Sequence, residues 1–149
     1  MPRCPNLVAP LVAALSVVAC ATPIRLPKDF LELHSSGAFR AVTGDDARVW
    51  VREFEDPNSA SLAFWATALE HEFTQQRGYD IVGKGAVKNR DGDEGAWFEC
   101  AANVAGRRVG YLCALWVDGR DVQVVEFAAD AEVFAARVEG VRAALKTVR

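Results

Sequence analysis

The sequence predicts an α+β fold, a three-layer α/β/α sandwich built on a mostly antiparallel sheet in the order β-β-α-β-β-β-β-α. Three observations carry it. Two stretches, one near residue 65 and one at the end of the chain, repeat apolar residues every three or four positions, the mark of amphipathic helices. Between them lie four runs rich in Val, Ala, Trp and Phe, parted by polar turns. The middle runs are apolar on both faces, whereas a sheet with one wet face alternates cleanly. Two helices are available, one for each face.

The elements follow in chain order. Residues 20–29 hold Pro23 and Pro27 without periodicity and read as a tether before a single domain over 30–149. Phe30 to Ser36 forms either one helical turn or an edge strand. Ala38 to Val42 and Ala47 to Phe54 flank Thr43-Gly44-Asp45-Asp46, a first hairpin. Asp56-Pro57 signals a helix start, and Leu62, Trp65, Ala66, Leu69 and Phe73 form its stripe, closed by Gly78. Strands are expected over about 80–88, 96–104, 109–117 and 121–128. Asp130 is placed to N-cap the last helix, whose stripe is Phe134, Val138, Val141, Leu145 and Val148.

Turn chemistry sets a register. Gly106-Arg107, taken as a two-residue turn with Gly first (type II′), places Cys100 opposite Cys113, with apolar pairs on either side. Asp118-Gly119 reads as type I′ and puts Val122 beside Leu115. An exported protein meets an oxidising compartment, so Cys100 and Cys113 are expected to form a cross-strand disulfide. The alternative is two small buried thiols.

Export is indicated by the leader. Arg3 supplies positive charge, and Leu7 to Val18 is almost wholly Val, Leu, Ala and Ser. That run is too short for the ~20 apolar residues of a membrane-spanning helix and fits a secretory signal. Its end, Val17-Val18-Ala19-Cys20, resembles the lipobox of bacterial lipoproteins. The resemblance implies cleavage before Cys20, removal of residues 1–19, a diacylglyceryl group on the Cys20 thiol and palmitate-type acylation of the new amino terminus. Several acyl chains anchor a protein stably. Ala21, where some systems use Asp for inner-membrane retention, implies the outer membrane, facing the periplasm. An ordinary signal peptide cut near Ala21, or a buried apolar strand, are the competing readings. Cys4 follows only three residues and has no lipobox.

The order of elements, with Gly78-Tyr79 after the first helix and Gly110-Tyr111 before Leu112-Cys113-Ala114-Leu115-Trp116-Val117, resembles the PsbP-like superfamily over roughly residues 30–149. That superfamily includes an extrinsic photosystem II subunit, Mog-type Ran-binding proteins and many bacterial lipoproteins. It implies a protein-contacting or assembly-assisting module. It has no shared catalytic set, and no functional residue carries over.

The residues themselves point the same way. A net charge of −3 excludes the broad basic surface that nucleic-acid binding needs. His71 lies off the apolar stripe between Glu70 and Glu72, with only Gln75 at i+4, so it reads as a solvated helix position. His34 beside Ser35 lacks a spatial partner, and no G-x-S-x-G elbow exists. Asn89 to Gly95 echoes a calcium loop, but Glu94 stands where Gly is needed and Cys100 where the bidentate Glu belongs, leaving a polar turn. Glu53, Glu55 and Asp56 sit where acids favour a helix dipole. Trp50, Trp65, Trp97 and Trp116 fall on strand faces or the helix stripe and read as core. No catalytic, metal or cofactor set emerges. A lipid-anchored, non-catalytic module with an envelope protein partner is expected, ahead of a carrier of small apolar ligands and, last, a hydrolase.

Overall fold

A computed structural model describes residues 22–33 and 37–149. The leader, Cys20 and His34 lie outside the described residues. The elements are β1 (Leu31–Leu33), β2 (Phe39–Val42), β3 (Arg48–Glu55), α1 (Leu62–His71), β4 (Asp80–Lys88), β5 (Glu94–Val104), β6 (Arg107–Asp118), β7 (Asp121–Asp130) and α2 (Ala131–Leu145). All strand pairs are antiparallel, in the order β1-β2-β3-β7-β6-β5-β4. The expected α+β sandwich is present, and of the two forms open to the segment after Phe30 the edge strand is observed, as β1 (Leu31–Leu33), so the sheet has seven strands.

Each helix lies on its own face. On one side α2 buries Phe134, Val138, Val141, Ala144 and Leu145 against Leu112, Ala114, Val125 and Phe127. Helix and sheet approach closely because Gly110 has no side chain: a Cβ there would stand 2.1 Å from Cγ of Phe134. On the other side Leu62, Trp65, Ala66 and Leu69 of α1 pack against Phe98, Cys100, Tyr111, Cys113 and Leu115. Helix α1 begins later than Asp56-Pro57 suggests. Asp56 instead closes the preceding turn, accepting from Asn58 N and Ala60 N at 2.9 Å each, and the Ser61 hydroxyl caps the helix at Phe64 N. After His71 the helix widens into one π turn, Glu72–Gln76, which drops Phe73 into the core. Gly78, at φ 65°, then reverses the chain.

The domain starts earlier than residue 30. Ile24 is 1% exposed and Phe30 is buried, both in the α2-side core. Pro23 O accepts from Arg149 N at 3.2 Å, and Arg25 N donates to the Thr147 hydroxyl at 2.8 Å. Arg137 of α2 pairs with Asp29 and with Asp45. Residues 22–30 are therefore a packed strap rather than a tether. Burial of Ile24 and Phe30, the hydrogen bonds to Thr147 and Arg149, and the Arg137–Asp29 ion pair together hold the segment against the entropy of fixing it.

Both central turns fall one residue from their expected places. Ala105 (φ 50°) and Gly106 (φ 80°) make the first, of the I′ kind, although Ala rarely adopts that conformation. Gly119 (φ 59°) and Arg120 make the second, with Gly first. Sliding a two-residue turn by one position offsets the ladder by two residues, so every side chain keeps its face. The partners change. Cys100 now opposes Tyr111, and Cys113 opposes Phe98.

This removes the expected disulfide. Cys100 and Cys113 share a face but sit diagonally, where Cα atoms are typically ~7–8 Å apart, beyond the reach of a relaxed S–S bond. Both are buried free thiols. Asp130 also departs from expectation: its carboxylate makes no cap hydrogen bond and pairs with Arg107 across the strand end.

Candidate functional site

The two faces are covered unequally. Helix α1 and its π turn lie over β4, β5 and β6, and among the described residues the same face of β1, β2 and much of β3 is left bare. Strand alternation decides what is shown there. Phe39, Ala41, Val49 and Val51 point to the α2 core, so Arg40, Val42, Arg48, Trp50, Arg52 and Phe54 point away from it. Leu31 opposes Val42 and Leu33 opposes Arg40, adding two leucines, 68% and 46% exposed. Phe54, 44% exposed, meets Trp65 edge-on at 5.6 Å and marks where α1 begins to cover the sheet. Trp50, expected in the core, is half-buried at the centre of this open half.

A shallow cavity of about 240 Å³ is lined by Leu33, Arg40, Val42, Asp46, Arg48 and Trp50. One of its two arginines, Arg48, is ion-paired, and so is Arg52 farther along β3 on the same face. Arg48 Nε meets Asp46 at 2.8 Å, and Arg52 pairs with Glu126 of β7, which also accepts the Tyr111 hydroxyl at 2.6 Å. Tyr111 is thereby buried with its proton committed, and its pKa lies far above the ordinary phenol value, first through burial. Next to it burial pushes the Cys113 thiol up to about 12 and the Cys100 thiol to about 11. Both shifts favour the protonated thiol, the less reactive form, at neutral pH. The site presents apolar surface, an indole and planar guanidinium groups, the side chains enriched at protein interfaces.

A second cavity, about 470 Å³, opens at the edge of the other face, where the β4–β5 and β6–β7 turns meet the C-terminal end of α2. Trp116 lies at its floor, and Glu53, Asp91, Asp93, Asp118 and Asp121 crowd its rim with Arg149. Among the described residues no group of three or more His, Cys, Asp or Glu is arranged to hold a metal ion. The Asn89–Asp93 segment satisfies itself, with Asn89 Oδ1 accepting from Asp91 N and Asp93 N. It is the polar turn the sequence implies. His71 is exposed at the end of α1. Glu53 and Glu55 line the acidic cleft rather than the helix start.

Sequence reasoning missed the open half of the sheet. The signal was available: Arg40, Trp50, Arg52 and Phe54 alternate with buried Ala41, Val49 and Val51. What the sequence withholds is how far α1 extends over the face.

No family model matches the chain, and no curated protein does. Solved structures do. The chain is similar to LpqN of Mycobacterium tuberculosis, described as involved in cell envelope biogenesis, at TM-score 0.65 and 13% identity over 83% of this chain and 78% of that one. It is similar to a protein of unknown function from Pseudomonas aeruginosa, PA94, described as a putative regulator, at TM-score 0.60 and 13% identity over 88% and 86%. Cyanobacterial PsbP from Synechocystis matches at TM-score 0.57 and 12% identity over 80% and 79%. The structural matches, at 12–13% identity, support the PsbP-like fold that the element order implies, and the fold alone. They transfer no function.

Proposed function

We propose that the chain is a lipid-anchored envelope lipoprotein whose domain binds a partner protein through the open half of the sheet and performs no catalysis. The carrying observation is that exposed Leu31, Leu33 and Phe54 share one uncovered sheet face with half-buried Trp50, interleaved with Arg40, Arg48 and Arg52. Soluble domains seldom leave a contiguous apolar patch uncovered without a use for it. The arginines select a partner with carboxylates beside its own apolar side chains, since guanidinium pairs bidentately with carboxylate. The resemblance of Val17-Val18-Ala19-Cys20 to a lipobox supports attachment at Cys20, and Ala21 supports outer-membrane residence with the domain in the periplasm. The envelope description of LpqN agrees with this address.

The acidic rim of the larger cleft is unsuited to a small apolar ligand, which argues against a carrier. A photo-crosslinker placed at Trp50 in native envelopes tests the proposal. A discrete protein adduct that disappears on Arg40→Glu is expected. No adduct at position 50, or an adduct equally strong from exposed Val82 on the far edge strand, overturns it. Labelling with a palmitate analogue tests the anchor separately: Cys20→Ser must abolish it.

A further inference from the structure

We propose that the end of the domain next to the anchor carries a basic collar that seats it on an anionic lipid surface; the proposal rests on the lipid-anchored reading and adds an orientation to it. The packed strap is the starting point. Cys20 precedes Thr22 by two residues, and two residues of extended chain reach at most ~7 Å. Immediately after Thr22 the chain is fixed: Ile24 is in the core, Pro23 O receives Arg149 N, and Arg25 N reaches Thr147. An acylated Cys20 therefore holds the C-terminal end of α2 at the bilayer, with no slack for the domain to drift off.

That end is rich in cations. Arg25 and Arg149 belong to the strap contact just described. Arg90 N donates to Val148 O at 3.0 Å, bringing the β4–β5 turn beside them. Lys88 and Lys146 line one groove with Trp97, over whose ring Arg142 stacks at 4.7 Å. Arg25, Lys88, Arg90, Lys146 and Arg149 are all exposed. Among the described residues none of the five has an acidic side chain within ion-pair distance, although eight other cationic side chains do. A cluster of unpaired cations at the exit of an acylated chain matches the negative surface potential of an anionic leaflet.

The acidic cleft sharpens the geometry. Asp91, Asp93, Asp118 and Asp121 lie on the other flank of Arg149, and a negative surface repels them. Attraction on one flank and repulsion on the other tilt the domain so that the groove of Lys88 and Lys146 rests on the headgroups. The open half of the sheet, on the opposite face from α2, is then held away from the lipid. A surface for a partner and a surface for the membrane do not compete.

The test uses the chain from residue 20 onward with Cys20→Ser, which retains every strand, both helices and both cores but carries no lipid. It is sedimented with vesicles of phosphatidylcholine alone or of equal parts phosphatidylcholine and phosphatidylglycerol, at low ionic strength where screening is weak. Binding to the phosphatidylglycerol vesicles only, reversed by salt, is expected. Each Lys or Arg near such a surface strengthens binding about fivefold. The Lys88→Glu, Arg90→Glu, Lys146→Glu variant should bind at least about tenfold more weakly. The three-Gln version should be intermediate, with an unchanged thermal midpoint, and Arg48→Glu on the other face should bind as the parent does. No binding to either vesicle, equal binding to both, or a charge-reversed variant that binds as the parent does overturns the collar. Loss of palmitate labelling in the native chain, with vesicle binding intact, would remove the lipid anchor and leave the collar standing.

Discussion

The two faces of one sheet are closed by different means. On the α2 side a 15-residue helix buries five side chains, the strap adds Ile24 and Phe30, and Val148 completes the cover. On the α1 side a 10-residue helix buries none of its own side chains fully, and the π turn behind it supplies a single buried residue, Phe73. Stability on the first side is spread over many contacts. On the second it is concentrated at one ring, and the ground left uncovered is free to meet another molecule. Under the proposed function, cover and binding trade against each other across a shared sheet.

The largest expected effect tests that concentration. Phe73 meets Phe98, Tyr79 and Tyr111 at ring separations of 5.5–6.4 Å. Phe73→Ala should cost ~3–5 kcal/mol in chemical denaturation. A loss below ~1 kcal/mol would mean that α1 is held by its half-buried stripe instead, and the contrast between the faces would fail.

On the closed side Leu145→Ala should cost ~2–5 kcal/mol, and Ile24→Ala should fall in the same range. The pair sharpens the comparison, because a free tether at residue 24 would show almost no change in the denaturation midpoint. Ile24 is as buried as Leu145. Urea titration of both variants decides whether the strap belongs to the fold.

These elements differ in how plainly the sequence announces them. The helices, the four-stranded meander and the core face of α2, Ala144 apart, were legible, because period-two and period-3.6 patterns report faces directly. Turn placement was not. Ala105 takes a left-handed conformation that propensity assigns to glycine, and one displaced residue there separated Cys100 from Cys113. The strap was illegible for another reason: Ile24 and Phe30 are isolated apolar residues among prolines, with no period to read. The open half of the sheet was written in the alternation of β3, but its exposure depends on the length of α1, which ends in a π turn no local signal marks. Cys20 and His34 lie outside the described residues.

The cysteines carry the next prediction. With thiol pKa values near 11 and 12 and both side chains buried, alkylation of the folded protein at neutral pH should be slow. Unfolding without reductant should make both Cys100 and Cys113 reactive. Intact-mass analysis reads both states, and resistance to alkylation in denaturant would restore the disulfide and with it a different β5–β6 register.

On the open half, truncation should scarcely touch the fold. Leu33→Ser removes apolar surface that water already reaches, and surface changes of this kind usually stay within ~0.5 kcal/mol. The same substitution should reduce crosslinking from position 50. A clearly destabilised Leu33→Ser protein would show that β1 is part of a core, and that the face is not free.

The smallest effect concerns acid. Asp56 is depressed below the ordinary carboxylate range, first by the hydrogen bond from Ala60 N and then by that from Asn58 N. A carboxyl whose folded pKa is lowered binds protons more weakly folded than unfolded, so its contribution is present above the unfolded value. It is lost as pH falls through the folded one. Asp56 joins the end of β3 to the start of α1 and accepts these bonds as a carboxylate, while its own N–H donates to Arg120 O at 2.7 Å. Asp56→Asn keeps the shape and removes the titration. Its thermal midpoint should lie below the parent's at neutral pH, and the gap should narrow as pH is lowered through the acid range. A gap that stays constant with pH would assign the loss to altered packing beneath α1, and the β3–α1 loop at the border of the covered and open halves would then rest on shape rather than charge.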